Sequence, residues 1–119
     1  MANNILSMPR GDNFDFDLTI NDSSSENGIY ILKDDDVVYF GLMDYGQPFE
    51  EALVKKRYTK EDCDELGNLT IMLEPSDTID LLPGEYYYSV KLHRISNTAE
   101  ETVDKVYTVI KKTKFIIFD

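Results

Sequence analysis

Phe14, Phe16, Leu18 and Ile20 alternate with Asp15, Asp17 and Thr19, a period of two that predicts a half-buried strand. The same alternation returns after Pro83-Gly84, where Tyr86, Tyr88, Val90 and Leu92 share one face and Glu85, Tyr87, Ser89, Lys91 and His93 the other. Between these runs, Val37 to Met43 is apolar on both faces and reads as a central strand, with Gly41 marking a bulge or a close approach. Ile29 to Leu32 is a short strand. Glu51 to Tyr58 alternates without revealing its inward face, and Asn68 to Glu74 places Leu69, Ile71 and Leu73 on one side. Two closing strands are expected at Glu101 to Ile110 and Lys114 to Phe118, the inward face of the first being ambiguous.

Turn chemistry punctuates these strands. Pro9-Arg10-Gly11-Asp12 turns the chain into the first strand, with Gly11 supplying the turn and Asp12 bonding backbone. The polar run Asn21 to Asn27 leads to Asn27-Gly28, and its Ser23 to Asn27 portion is expected to be mobile. Thr59 to Asp62 resembles a capped helical turn closed by Gly67. Ser76 or Asp77 can cap a short helical turn near Ser76-Leu81 that would carry Ile79 and Leu82 beneath a sheet edge. Turn signals recur about every ten residues and no amphipathic crossover helix is available, so the pattern predicts an all-β, immunoglobulin-like antiparallel β-sandwich of about seven strands. Its core would hold Phe14, Phe16, Leu18, Val38, Phe40, Leu69, Ile71, Leu73, Tyr86, Tyr88, Val90 and Leu92. Pro83 and Gly84 form a corner, after which a buried tyrosine commonly bonds back to the preceding turn; Tyr86 is the first candidate and Tyr88 the second.

At 119 residues the chain fits one domain, residues 1–119, and its 42% hydrophobic content suffices for a single core. A net charge of -11 would repel a phosphate backbone, which argues against nucleic acid. The basic residues fall in two groups, Lys55, Lys56, Arg57 and Lys60, and Lys105, Lys111, Lys112 and Lys114. Lysines on exposed strands discourage edge-to-edge aggregation; the sharper reading is a docking patch. A lone cysteine, Cys63, excludes an internal disulfide. Met1 to Pro9 lacks the charged and apolar regions of a signal peptide and no run is long enough to span a bilayer, so the expectation is a chain made in the cytoplasm with no membrane partner.

Catalytic chemistry is sparse. The single histidine, His93, falls on the polar face of its strand, and Cys63 sits among carboxylates that raise a thiol's pKa. No enzyme and no cofactor are expected, a hydrolase on paired carboxylates being the remaining catalytic class. Asp62 to Gly67 begins like a calcium loop but carries Leu66 and Leu73 where ligands belong. Asp34-Asp35-Asp36 cannot all point inward and reads as a solvated turn, so no metal site is expected. Arg10-Gly11-Asp12 spells an adhesion tripeptide, and Asn21-Asp22-Ser23 and Asn68-Leu69-Thr70 fit the glycosylation sequon; without a secretory leader they carry little weight.

The order of these features resembles a known group. Arg10-Gly11-Asp12 leading into Phe14-x-Phe16-x-Leu18, then Val37 to Phe40, Pro75-x-Asp77-Thr78, Leu82-Pro83-Gly84-x-Tyr86-x-Tyr88, Val106 to Val109 and Thr113 to Ile117, resembles small immunoglobulin-like domains of tailed bacteriophages and prophages. It is similar to the N-terminal domain type of baseplate upper proteins, over about Met8 to Asp119. The resemblance implies a virion component of tail or baseplate, acting through contacts with other virion proteins or copies of itself, with no catalytic residue to carry over. The second reading is a bacterial surface or adhesion module binding a glycan or host protein.

Overall fold

Two long strands organise the computed structural model, which describes residues 5–22, 28–97 and 102–119. In chain order the strands are β1 (Leu6–Pro9), β2 (Phe14–Leu18), β3 (Ile20–Asn21), β4 (Ile29–Tyr30), β5 (Val37–Met43), β6 (Val54–Tyr58), β7 (Leu69–Leu73), β8 (Gly84–Asn97) and β9 (Thr102–Phe118). One helical turn, α1 (Pro75–Thr78), and two 3-10 turns, Phe49–Glu51 and Lys60–Asp62, complete the elements. The Ser23 to Asn27 segment lies outside the described residues.

The five-stranded sheet runs β1-β9-β8-β5-β6 and curls into a half-barrel, while β2-β7 and β3-β4 form two small pairs. Among the described residues the chain is therefore mostly β, with one short helix. The arrangement departs from the expected antiparallel immunoglobulin-like sandwich, because β1 runs parallel to β9, Leu6 opposite Phe115 through Pro9 opposite Phe118. The sheet is mixed, and the two small pairs β2-β7 and β3-β4 pack against it where a second full sheet was expected.

The alternation read from sequence explains the core. Val38, Phe40 and Leu42 of β5, Tyr88, Val90 and Leu92 of β8, and Phe115 and Ile117 of β9 are buried together with Leu69, Ile71 and Leu73 of β7. Phe14 and Phe16 are only half-buried, but their rings pack edge-on against Phe115 at 5.7 Å and Tyr88 at 5.9 Å. Val37–Met43 is apolar on both sides because the sheet is covered on both: a side chain on Gly41 would meet the Phe49 ring at 2.9 Å and Ala52 at 3.2 Å.

Three local expectations need correction. The helical turn begins one residue earlier than Ser76, with Pro75 in its first position and Asp77 accepting from the Glu74 N–H at 2.7 Å. Being a single turn, it buries Thr78, whereas Ile79 and Leu82 are exposed and Leu81 takes the inward place. Glu51 belongs to a 3-10 turn, so that strand starts at Val54. The two closing strands are one, β9, continuous through Lys111-Lys112-Thr113.

Candidate functional site

β8 and β9 pair from Gly84 opposite Ile117 to Asn97 opposite Thr102, but their register slips twice. Tyr88 opposes Thr113, Val90 opposes Ile110 and Lys91 opposes Thr108, so β9 carries an extra residue at each of two bulges. Each bulge moves the inward face by one position. Phe115 and Thr113 point with Tyr88, yet beyond the bulges the inward partners of Val90, Leu92 and Arg94 are Ile110, Tyr107 and Lys105. Ser89, buried, donates its hydroxyl to the Ile110 carbonyl at 2.7 Å and so satisfies a group at the irregularity.

The outer edge of β9 is the second consequence. β1 covers it only at Phe115–Phe118; among the described residues no strand pairs with it from Thr102 to Lys114. Leu18 to Asp22 faces this edge, and the seam between them is a half-open groove of about 550 Å³. Leu18, Leu92, Val109 and Ile110 give it apolar walls, and Asp22, Arg94 and Tyr107 give it polar ones.

A buried polar cluster fixes one end of the groove. Asp36, 3% exposed, accepts the Tyr30 hydroxyl and the Lys33 N–H, the latter at 2.9 Å. Burial and the bond to Asp36 push the Tyr30 phenol up to about 12; the Asp22 charge acts in the same direction and Arg94 against it. The Arg94 guanidinium lies 4.9 Å above the Tyr30 ring, a cation–π contact that positions it at the groove wall. Asp34-Asp35-Asp36 is therefore not wholly a solvated turn: Asp36 points inward, while Asp34 pairs with Lys60 at 2.8 Å.

The residues singled out in sequence sit elsewhere. Gly11 adopts φ +77 and donates its N–H to the Thr78 hydroxyl at 2.9 Å, and the Asp12 N–H reaches the Pro9 carbonyl at 3.4 Å. Pro83 and Gly84 are exposed at the corner, and the Tyr86 hydroxyl donates to the Leu82 carbonyl at 2.6 Å. Tyr88 is buried among Phe16, Phe40 and Phe115. These groups hold the turn end of the half-barrel; Arg94 lies eight residues along β8 from Tyr86, roughly 27 Å away at strand rise. Sequence reasoning missed Tyr30, Asp36, Arg94 and Tyr107 as a group. The second lysine group shares the strand but not the groove: Lys111 and Lys112 line a separate hollow with Phe49, Glu50, Ser89 and Lys91.

The two lysine groups differ in kind. Lys56 pairs with Asp77 at 2.8 Å, Lys60 with Asp34, and Lys55 donates to the Glu50 carbonyl. On β9, Lys114 pairs with Glu85 at 3.2 Å and Lys112 reaches the Gln47 carbonyl at 2.6 Å, but Lys105 and Lys111 are exposed and make no ion pair among the described residues. Cys63 is half-buried, and burial followed by the Asp62 and Asp64 charges pushes its thiol up. His93 packs edge-on against Tyr39 at 4.8 Å. Among the described residues no cluster of three or more His, Cys, Asp or Glu could hold a metal, and no helix is long and apolar enough to cross a membrane. Compared with protein-family models, curated proteins and solved structures, the chain matches none.

Proposed function

We propose that this chain is a non-catalytic structural protein of a phage or prophage virion, a tail or baseplate component that works through contacts with other virion proteins and copies of itself. In this reading the half-barrel is a variant of the immunoglobulin-like sandwich that the strand order resembles. The observation that carries it is the β8-β9 arm. β5 covers β8 only as far as His93, whereas β8 continues to Asn97, so four residues of the hairpin, about 13 Å at strand rise, reach past the sheet. An arm whose two outer edges have no strand partner among the described residues supplies backbone donors and acceptors to a neighbouring protein, as strand-addition interfaces require. The polar chemistry supports the same reading, since Asp36 and Thr78 are committed to structural hydrogen bonds and the Cys63 thiol is a weak nucleophile.

The test is proteomics on density-purified particles released from the source organism after prophage induction. Peptides of this chain should band with the particles in a fixed ratio to tail proteins. Particles that form without it, with the chain retained in cells or at their surface, would overturn the virion reading in favour of an adhesion module.

A further inference from the structure

We infer that the seam between β9 and Leu18–Asp22 is the docking site for an extended segment of a partner protein whose side chains alternate acidic and apolar. The inference rests on the chain being a protein-contact domain, and not on its belonging to a virion. An unpaired strand edge presents alternate N–H and C=O groups outward, and an added strand satisfies them. The groove beside that edge, about 550 Å³, has room for several apolar side chains against Leu18, Leu92 and Ile110. A strand's period of two sends every other residue into this groove and the rest back toward solvent.

Charge selects the occupant. Positions 105–114 hold four lysines and no carboxylate, in a chain whose net charge is -11. Arg94 and Lys105 stand directly opposite each other on the inward face, a like-charge cross-strand pair that costs stability unless an anion lies between or beside them. Asp22 at the opposite wall offsets part of this charge; Lys105 makes no ion pair among the described residues, and Lys111, on the hollow shared with Glu50, stands beside the same edge and meets the residues that an added strand turns away from the groove. The same lysines disfavour a second copy. Antiparallel pairing of two β9 edges about Thr108 would set Lys105 of each against Lys111 of the other, the arrangement that blocks edge-to-edge association. An acidic strand meets no such barrier.

The experiment uses the full chain and two fluorescein-labelled nonapeptides, one alternating aspartate with valine and one alternating lysine with valine. Fluorescence anisotropy should show saturable binding of the acidic peptide, at least about tenfold tighter than the basic one and weakened by salt. Amide hydrogen exchange should slow on peptide addition at positions 105–113. The double variant Lys105→Glu/Lys111→Glu, at two exposed positions, should lose about tenfold for the acidic peptide while keeping its melting temperature. Equal binding of the two peptides, no saturable binding, or protection elsewhere would overturn the inference. So would a concentration-dependent dimer in sedimentation with positions 105–113 already protected, since a second copy would then fill the seam. If the chain bands with particles but the peptide result fails, the seam assignment alone falls; if the peptide binds and the chain is absent from particles, only the virion reading falls.

Discussion

Replacing Tyr30 with Phe removes one oxygen from the protein and leaves a buried carboxylate short of a partner. Asp36 is 3% exposed and holds two donors, the Tyr30 hydroxyl and the Lys33 N–H. The ring stays, so packing and the Arg94 contact survive, and the change isolates the hydrogen bond. A hydrogen bond to a charged group is worth about 1.5–3 kcal/mol, and water cannot readily replace the lost donor, so Tyr30→Phe should cost about 2 kcal/mol. For a chain of this size that corresponds to roughly 8 °C in melting temperature, within the scaling of small domains. Urea denaturation measures it directly, with an unchanged slope. In an Asp36→Asn background, where no charge is stranded, the same substitution should cost less, the difference being the coupling. The high-pH limb provides an independent check. Tyr30 titrates at about 12 folded against about 10 unfolded, so the folded state binds the extra proton. Its contribution is complete below pH 10 and is lost as pH rises from 10 through 12. Tyr30→Phe should flatten that limb. A stability change within about 0.5 kcal/mol, the scatter of neutral surface substitutions, together with an unaltered high-pH slope, would refute the reasoning.

Three further outcomes can be checked on the same preparations. Tyr86→Phe should cost about 1 kcal/mol by removing the bond to the Leu82 carbonyl, and an unchanged melting temperature would remove the corner's structural role. Gly41→Ala should destabilise by about 1–3 kcal/mol, because the new methyl meets the Phe49 ring at 2.9 Å and Ala52 at 3.2 Å on a buried strand; shaving Phe49 to Leu in the same chain should recover part of the loss. Cys63 should react with iodoacetamide at pH 8 more slowly than a free thiol, as burial and two aspartates raise its pKa, and urea should abolish the difference.

Legibility in the sequence followed the strength of local patterns. The Phe14–Leu18 and Tyr86–Leu92 alternations map directly onto β2 and β8, because each run turns one face to the core: Tyr86, Tyr88, Val90 and Leu92 are buried, and Phe14 and Phe16 half-buried before the buried Leu18. β7 was equally clear. The parallel pairing of β1 left no trace, since parallel and antiparallel partners ask for the same residues and Leu6 to Pro9 is too short to alternate. Ile79 and Leu82 misled because an apolar residue beside a helix start suggests burial, whereas a single turn has only one inward position and Thr78 fills it to receive the Gly11 N–H. Asp36 was hidden by its neighbours: three adjacent aspartates look solvated, and the third is distinguished by the Tyr30 hydroxyl, six residues back on β4, together with the Lys33 N–H.

The least readable stretch is also the one that builds the candidate site, and the two facts have one cause. Residues Glu101 to Ile110 had an ambiguous inward face because both alternating sets mix apolar with polar residues, and the bulges between Thr113 and Thr108 shift the face twice within six residues. A regular β9 would have placed Lys111 and Val109 on the inward row set by Phe115 and Thr113. The first bulge instead sets Ile110 opposite Val90, and the second returns the row to Tyr107 and Lys105 opposite Leu92 and Arg94, close to where the outer edge loses β1. Bulges increase local twist, and the groove between β9 and Leu18–Asp22 lies directly beside them, lined by Tyr107 to Ile110. The irregularity that blurs pattern reading thus adjoins the edge that the proposed docking uses, as expected where sequences break local rules at a site.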